Sequence, residues 1–154
     1  MNGEPIVILL VEDDEAHAEI VRRNFEACRI ANQLIHVSDG QEALDYLSRR
    51  NGFSDPAKSP RPGIILLDLR LPKVHGMEVL KTIKADPKLR TVPVVILTTS
   101  KTEADMVKAY ECQANSYLVK PIDFMQFTNM LEVFGLYWLA WNQHPHQHQP
   151  GPQS

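Results

Sequence analysis

Cysteine is scarce in this chain of 154 residues, which has two, Cys28 and Cys112. Two cysteines are too few for a disulfide framework, so we expect a reducing, cytoplasmic location. An excess of basic residues is also missing, because 16 Lys and Arg stand against 19 Asp and Glu. This balance disfavours direct nucleic-acid binding, and no helix-turn-helix pattern indicates a DNA-binding domain.

Long hydrophobic runs and nucleotide-binding glycine patterns are absent as well. The run at residues 6–11 follows a stretch without basic residues and is too short for a signal peptide. No later run reaches membrane-spanning length. Neither GxGxxG nor GxxxxGKS/T follows a predicted strand. The length fits one domain, which we place at residues 1–141.

The chain does contain an alternation of buried strands and amphipathic helices. Residues 64–67 form an uninterrupted apolar run that ends at Asp68, as expected for a strand covered on both faces. Other strands are predicted at residues 6–11, 34–37, 93–98 and 116–121. Helical spacing of apolar residues follows each strand, for example from Gly76 to Ala85. The pattern predicts an α/β fold with a doubly wound, five-stranded parallel sheet.

Local signals mark the helix starts and the irregular segments. Three capping pairs are predicted: Asp39 with Glu42, Ser100 with Glu103, and Asp123 with Gln126. Residues 49–62 contain three prolines and are expected to form a surface loop. Residues 142–154, rich in His, Gln and Pro, are expected to be disordered. A metal site on the histidines of this tail is the alternative.

Four of the predicted strands bring polar groups to one edge of the sheet, because parallel strands all end on the same side. The groups are Glu12, Asp13, Asp68, Thr98 and Lys120. Clustered carboxylates favour a hard cation such as Mg²⁺, and a lysine with a hydroxyl suits a phosphoryl group in transfer. Each group also has a plainer explanation taken singly. Glu12 to Asp14 can be a helix cap, Thr98 a strand residue and Lys120 a solvated charge.

The segments that carry these groups resemble the receiver domain of bacterial response regulators. They are LVEDD at 10–14, LLDLRLP at 66–72, VILTT at 95–99 and YLVKP at 117–121. The resemblance covers nearly the whole chain and implies the flavodoxin-like strand order 2-1-3-4-5. It implies a phosphoacceptor signalling protein that is not an enzyme with a separate substrate.

The resemblance also implies a role for each residue at the edge. Asp68 accepts a phosphoryl group from a histidine kinase, and Lys120 and Thr98 contact the phosphoryl oxygens. The implied Mg²⁺ ligands are Asp13, Asp68, the backbone carbonyl of Arg70 and, through water, Glu12.

Further expectations concern switching and a single histidine. Thr98 and Tyr117 are the implied switch, with Tyr117 moving inward after phosphorylation. The Lys120–Pro121 bond is expected to be cis. His75 is interpreted as a surface turn residue.

A closer resemblance is to single-domain regulators of bacterial phytochrome-type photoreceptor kinases. It rests on the proline-rich loop and on the aromatic end of the last helix, which is apolar around its circumference. An inward stripe is predicted at Phe124, Phe127, Met130, Leu131 and Phe134. A homodimer on this helix is predicted, with an interface at Phe134, Tyr137, Trp138 and Trp141. The tryptophans folding back on their own domain, or the kinase covering the surface, are the alternatives.

Two other functions compete with this interpretation. An aspartyl-phosphate hydrolase usually carries a second Asp two residues after its nucleophile, and that position is Arg70. An interaction module that works without phosphorylation is the second alternative. The complete set of charged and hydroxyl groups at the sheet edge counts against it.

Overall fold

The computed structural model describes residues 6–27, 32–121 and 123–142. Its strands are β1 (Ile6–Val11), β2 (Asn32–Val37), β3 (Ile64–Leu67), β4 (Val94–Thr98) and β5 (Ser116–Val119). Its helices are α1 (Glu15–Ala27), α2 (Gly40–Ser48), α3 (Gly76–Ala85), α4 (Glu103–Glu111) and α5 (Phe124–Asn142). The predicted alternation is confirmed. The fifth strand ends two residues earlier than predicted, before Lys120.

The five strands form one parallel sheet in the order β2-β1-β3-β4-β5, as expected. β1 and β3 pair in the centre, with Val11 opposite Leu67. β4 then pairs with β3 and β5 with β4. In this order the chain reverses its direction of travel across the sheet between β1 and β3, where open α/β sheets bind their ligands.

The core lies on both faces of the sheet. Leu9 and Leu67 contribute to a cluster with α2 and α3, whereas Leu10 and Leu66 contribute to a cluster with α1 and α5. Successive residues of a strand point to opposite faces. A strand covered on both sides therefore needs an apolar residue at every position, which explains the uninterrupted runs in the sequence.

Of the three predicted capping pairs, Asp39 with Glu42 is confirmed in both directions, and Asp123 is confirmed as the cap of α5. The Asp39 carboxylate accepts from Glu42 N at 2.7 Å, and the Glu42 carboxylate accepts from Ser38 N at 2.8 Å. The Asp123 carboxylate accepts from Met125 N at 2.7 Å and from Gln126 N at 3.4 Å.

The predicted pair of Ser100 with Glu103 is wrong. α4 begins at Glu103, so its N-cap is Thr102, whose hydroxyl accepts from Asp105 N at 3.2 Å. The Ser100 hydroxyl instead donates to the Asp105 carboxylate at 2.5 Å. The helix starts two residues later than predicted, which gives Ser100 a different role.

Three further expectations need correction. His75 is more than a turn residue, because its Nδ1 accepts from Met77 N at 3.1 Å and caps α3. The described residues contain no cis peptide bond, so Lys120–Pro121 is trans, the form that proline still favours. Phe124 is 60 % exposed and does not belong to the inward stripe, because it stands at the first position of α5, ahead of the turn that packs on the sheet.

The proline-rich segment 49–62 is a surface loop held against α2. The Tyr46 hydroxyl donates to the Pro60 carbonyl at 2.7 Å, and the Arg61 guanidinium donates to the Leu47 carbonyl at 2.6 Å. No helix within the described ranges has the length and apolarity needed to cross a membrane. The start of the predicted domain at residues 1–5, Cys28 and residues 143–154 of the predicted tail lie outside the described residues.

Candidate functional site

The predicted polar groups do meet at the carboxyl edge of the sheet. Glu12 and Asp13 follow β1, Asp68 follows β3, and Lys120 follows β5. One carboxylate oxygen from each of Glu12, Asp13 and Asp68 lies within 4.8 Å of the others. Carboxylate oxygens at such separations suit a small hard cation.

The plain cap explanation of the acidic run holds for one residue only. The Asp14 carboxylate accepts from His17 N at 3.1 Å and caps α1. Glu12 is buried, with its second oxygen accepting from Asp14 N at 3.1 Å. Asp13 is exposed at the mouth of the site. Of the three consecutive acids, Asp14 therefore caps α1, whereas Glu12 and Asp13 belong to the carboxylate group of the site.

Lys120 is buried, contrary to the plainer explanation that it is a solvated charge. Its Nζ donates to Glu12 Oε1 at 2.5 Å and to Asp68 Oδ2 at 3.1 Å. The side chain is 2 % exposed. A buried ammonium is costly unless charged partners surround it. Glu12 and Asp68 provide that compensation. The bond to Asp68 also holds the ammonium beside the candidate phosphoacceptor.

Burial also changes the chemistry of Glu12. Removal from water raises the pKa of this carboxyl to about 7, and the negative charge of Asp68 acts in the same direction. The Lys120 ammonium opposes the shift through its charge and its hydrogen bond. A carboxyl that ionises at this cost is well suited to a further cation.

Asp68 is fixed by its surroundings as well as by β3. It is 7 % exposed, and its Oδ1 accepts from Arg70 N at 3.3 Å. A Cβ at Gly76 would overlap the Asp68 carbonyl oxygen and the Leu69 Cα, so only glycine lets α3 begin this close to the loop. The Arg70 carbonyl as a metal ligand stays a prediction.

Thr98 and Tyr117 are linked through the backbone of Ser100. The fully buried Thr98 hydroxyl accepts from Ser100 N at 3.4 Å. The Tyr117 hydroxyl donates to the Ser100 carbonyl at 3.1 Å, and its ring packs against the core cluster of α2 and α3. Both predicted switch residues therefore meet at one loop residue. Movement of Tyr117 after phosphorylation stays a prediction.

Arg70 and Asp105 form a contact that the sequence did not indicate. The Arg70 guanidinium lies 3.7 Å from Asp105 Oδ2, the oxygen that also accepts from the Ser100 hydroxyl. That hydrogen bond lowers the pKa of Asp105 below its ordinary range. The loop after Asp68 is thereby tied to the first turn of α4.

His17 is a further residue of the site that the sequence analysis did not predict. Its Nδ1 lies 3.0 Å from Lys120 Nζ, and its ring meets the Phe127 ring edge to face, with centroids 5.6 Å apart. The available signal was its position in the first turn of α1, directly after the acidic run. A residue there lies beside the carboxyl edge of the sheet.

The predicted dimer residues are only partly described. Phe134 packs against the core cluster of α1 and α5, and Phe127 and Leu131 are buried in it. The side chains of Tyr137, Trp138 and Trp141 lie outside the described residues.

Comparisons with known proteins agree with this geometry. The model of the response regulator receiver domain matches residues 8–132. The probable methanogenesis regulatory protein FilR2 of Methanothrix harundinacea is 44 % identical over 142 residues, which cover 92 % of this chain and 89 % of FilR2.

Response regulator Rcp1 of Synechocystis sp. is 41 % identical over 138 residues, 90 % of this chain and 92 % of Rcp1. The crystal structure of its Mn²⁺-bound form superposes with a TM-score of 0.83, over 88 % of this chain and 95 % of that one. The phosphorylated cyanobacterial phytochrome response regulator RcpA also gives 0.83, at 35 % identity, over 89 % of this chain and 96 % of that one.

Proposed function

The chain belongs to the response regulator receiver domain family, and from this we propose that it signals by accepting a phosphoryl group on Asp68 from a histidine kinase. The observation that carries the proposal is the buried contact of Lys120 Nζ with Asp68 Oδ2. It places a fixed positive charge where phosphoryl oxygens would gather. Preorganised charges of this kind are the main source of catalysis in phosphoryl transfer.

The proposed step balances simply. An oxygen of the Asp68 carboxylate attacks the phosphorus of the kinase phosphohistidine. A P–O bond forms, the P–N bond breaks, and the departing imidazole nitrogen keeps the electron pair. Lys120 donates to the phosphoryl oxygens, and the Thr98 hydroxyl donates to one of them once Asp68 is modified. The protein turns over no separate substrate in this scheme.

Glu12, Asp13 and Asp68 would hold Mg²⁺, with the Arg70 carbonyl as a further ligand. Their close grouping and their oxygen donors support this, as does the Mn²⁺-bound form of the similar Rcp1. A cation bound there neutralises charge on the phosphoryl oxygens. The phosphorylated form of the similar RcpA supports phosphorylation of this chain.

The proposal is tested by incubating the protein with acetyl phosphate and Mg²⁺ and weighing it by mass spectrometry. We expect one added phosphoryl group in the parent and none after Asp68→Asn or with a chelator. Asp55→Asn, in the exposed surface loop, is the matched control and should label like the parent. Labelling of Asp68→Asn at the parent rate would show the assignment to be wrong. A parent that never labels would favour the phosphorylation-independent interaction module.

We further infer a phytochrome-type photoreceptor kinase as the partner, in the cytoplasm. Similarity to Rcp1 and to the phytochrome response regulator RcpA supports this partner. FilR2, which is equally similar, is named as a probable methanogenesis regulatory protein. Phosphotransfer from a purified kinase of this class, assayed in its two light states, tests the inference. A kinase without a photoreceptor that labels Asp68 much faster would contradict it.

Dimerisation is part of the proposed function. α5 exposes Met125 at 62 % and Val133 at 68 %, and α4 exposes Val107 and Tyr110 at about half. Exposed apolar side chains of this size favour an interaction surface, and aromatic residues are typical anchors there. We propose that a second copy covers this surface together with the aromatic end of α5.

A further inference from the structure

The ammonium of Lys120 has three N–H groups and three acceptors. Glu12 Oε1, Asp68 Oδ2 and His17 Nδ1 lie at 2.5, 3.1 and 3.0 Å from Nζ. An ammonium offers three donors and no acceptor, so this set satisfies it completely. The direction of the lysine side chain is therefore set by three separate contacts.

Two of these acceptors belong to the chemistry of the proposed function. Glu12 and Asp68 are in the carboxylate group that would hold the cation. When Asp68 becomes an acyl phosphate, the negative charge lies on the phosphoryl oxygens and no longer on its carboxyl oxygens. The contact with His17 is the one that neither event consumes, so it persists when the other two weaken.

His17 is well placed to serve as a fixed acceptor. Its backbone N–H donates to Asp14 Oδ1 at 3.1 Å, and its ring stands against Phe127 of α5 at an interplanar angle of 89°. The side chain is 31 % exposed. The backbone of His17 is thus fixed in α1 and its ring packs on α5, which keeps Nδ1 on the side of Lys120.

The protonation state of His17 agrees with this role. Partial burial lowers the pKa of its imidazole, and the nearby Lys120 ammonium acts in the same direction. The carboxylates of Asp14, Asp68 and Asp13 oppose the shift. Because Nδ1 must accept from an ammonium, the neutral ring carries its proton on Nε2.

We propose that His17 is a positioning residue for phosphoryl transfer, holding Lys120 Nζ beside the Asp68 carboxylate, where it can contact the phosphoryl oxygens. The inference rests on the proposed function of Asp68. It adds a residue of α1 that touches neither the cation nor the phosphoryl group. Small displacements of a positioned charge lower transfer rates strongly.

The test compares His17→Leu with His17→Asn. Leucine fills similar space but has no hydrogen-bond acceptor. Asparagine keeps an acceptor, because its amide oxygen is two bonds from Cβ, as Nδ1 is in histidine. The measurement is the initial rate of Asp68 labelling by acetyl phosphate at saturating Mg²⁺. We expect His17→Leu to label roughly tenfold more slowly, and His17→Asn to stay within about twofold of the parent.

Ala16→Leu is the matched control, because it adds an apolar side chain to the same exposed turn of α1. It should label like the parent, and thermal unfolding should show all variants folded. A second readout is the ¹⁵N resonance of the Lys120 ammonium, whose hydrogens should exchange faster in His17→Leu than in the parent or His17→Asn.

Three results would overturn the inference. His17→Leu labelling as fast as the parent, or His17→Asn as slow as His17→Leu, removes the role of His17 while Asp68 remains the phosphoacceptor. A parent that does not label at all overturns the proposed function, and the role of His17 with it. The two failures are therefore distinguishable.

Discussion

Individual residues at the sheet edge behave differently from their free forms because they are buried together. Glu12 and Lys120 are each at most 3 % exposed, and their contact at 2.5 Å compensates charges that neither could carry alone in the interior. The pKa of Glu12 rises to about 7 even with this partner, because burial outweighs the attraction of the ammonium. A cation bound by these carboxylates would offset part of this cost, because it adds positive charge where burial disfavours the ionised carboxyl.

At this scale the pH dependence of stability is a test of His17. The folded protein lowers the pKa of His17 below its ordinary value of about 6.5, so the unfolded chain binds the proton more readily. The free energy of unfolding should therefore fall as the pH drops below about 6.5, until the folded pKa is passed. Well above pH 6.5 His17 is neutral in both the folded and the unfolded protein, so it makes no pH-dependent contribution there.

The measurement is urea unfolding without metal at pH 5 to 8, in the parent and in His17→Asn. The charged groups facing His17 are common to both proteins: Lys120, Asp14, Asp13 and Asp68. The difference between the two curves isolates the histidine. Curves that run parallel across this range would contradict the shift.

Among the elements, the loop between β4 and α4 connects the site to a helix surface. The Ser100 carbonyl accepts a hydrogen bond from the Tyr117 hydroxyl. Its N–H donates to the Thr98 hydroxyl oxygen, and its own hydroxyl donates to the Asp105 carboxylate. Arg70, two residues after Asp68, lies 3.7 Å from the same Asp105 carboxylate. We therefore expect a change at Asp68 to bias the position of α4, either through Thr98 and Ser100 or through the contact of Arg70 with Asp105.

Thr98→Val tests the route through the hydroxyl. Valine keeps the volume, so labelling of Asp68 should stay largely intact and stability should fall by about 1 kcal/mol. The response of α4, β5 and α5 to the phosphoryl mimic beryllofluoride should be blunted, because valine cannot hydrogen-bond the mimic. Amide hydrogen exchange with and without the mimic measures this response.

The neighbouring Thr99→Val is the control, since Thr99 is exposed next to the same loop. It should respond like the parent. Equal exchange responses in Thr98→Val and in the parent would remove Thr98 from the switch, and the Arg70–Asp105 contact would become the better candidate.

On the scale of the whole molecule, the last helix, α5, leaves apolar side chains exposed to solvent. α5 covers the sheet with Phe127 and Leu131 but also exposes Met125 and Val133. A helix that is apolar beyond its inward face is normally covered by something else. The sequence of α5 continues to Asn142 with further apolar residues, among them Tyr137, Trp138 and Trp141.

We expect the parent to scatter light at twice the chain mass of 17.5 kDa after size exclusion. At about 50 μM, a dimer of micromolar affinity is well populated. Tyr137→Ala combined with Trp138→Ala should give the single chain mass, because it removes the aromatic anchors. Asn129→Ala, an exposed polar position of α5, should stay dimeric. A monomeric parent, phosphorylated or not, would mean that the aromatic residues fold back or that a kinase covers them.

By itself, the sequence determined the order of strands and helices and the polar residues that follow the strands. Strands such as Ile64–Leu67 were recognisable because burial on both faces demands an apolar residue at every position. Parallel pairing then places Asp68 and Lys120 at one edge, whatever the details of packing. The receiver motifs identified the strand order as well.

Only the tertiary structure decided which atoms meet. Lys120 reaches His17 and Glu12 across 103 and 108 positions of sequence, so no local pattern contains these contacts. The hydrogen bond of Ser100 to Asp105 depended on a helix start that the local sequence signal misplaced by two residues. Local patterns record burial and backbone geometry, whereas the balance of charges in the site depends on distances that packing alone establishes.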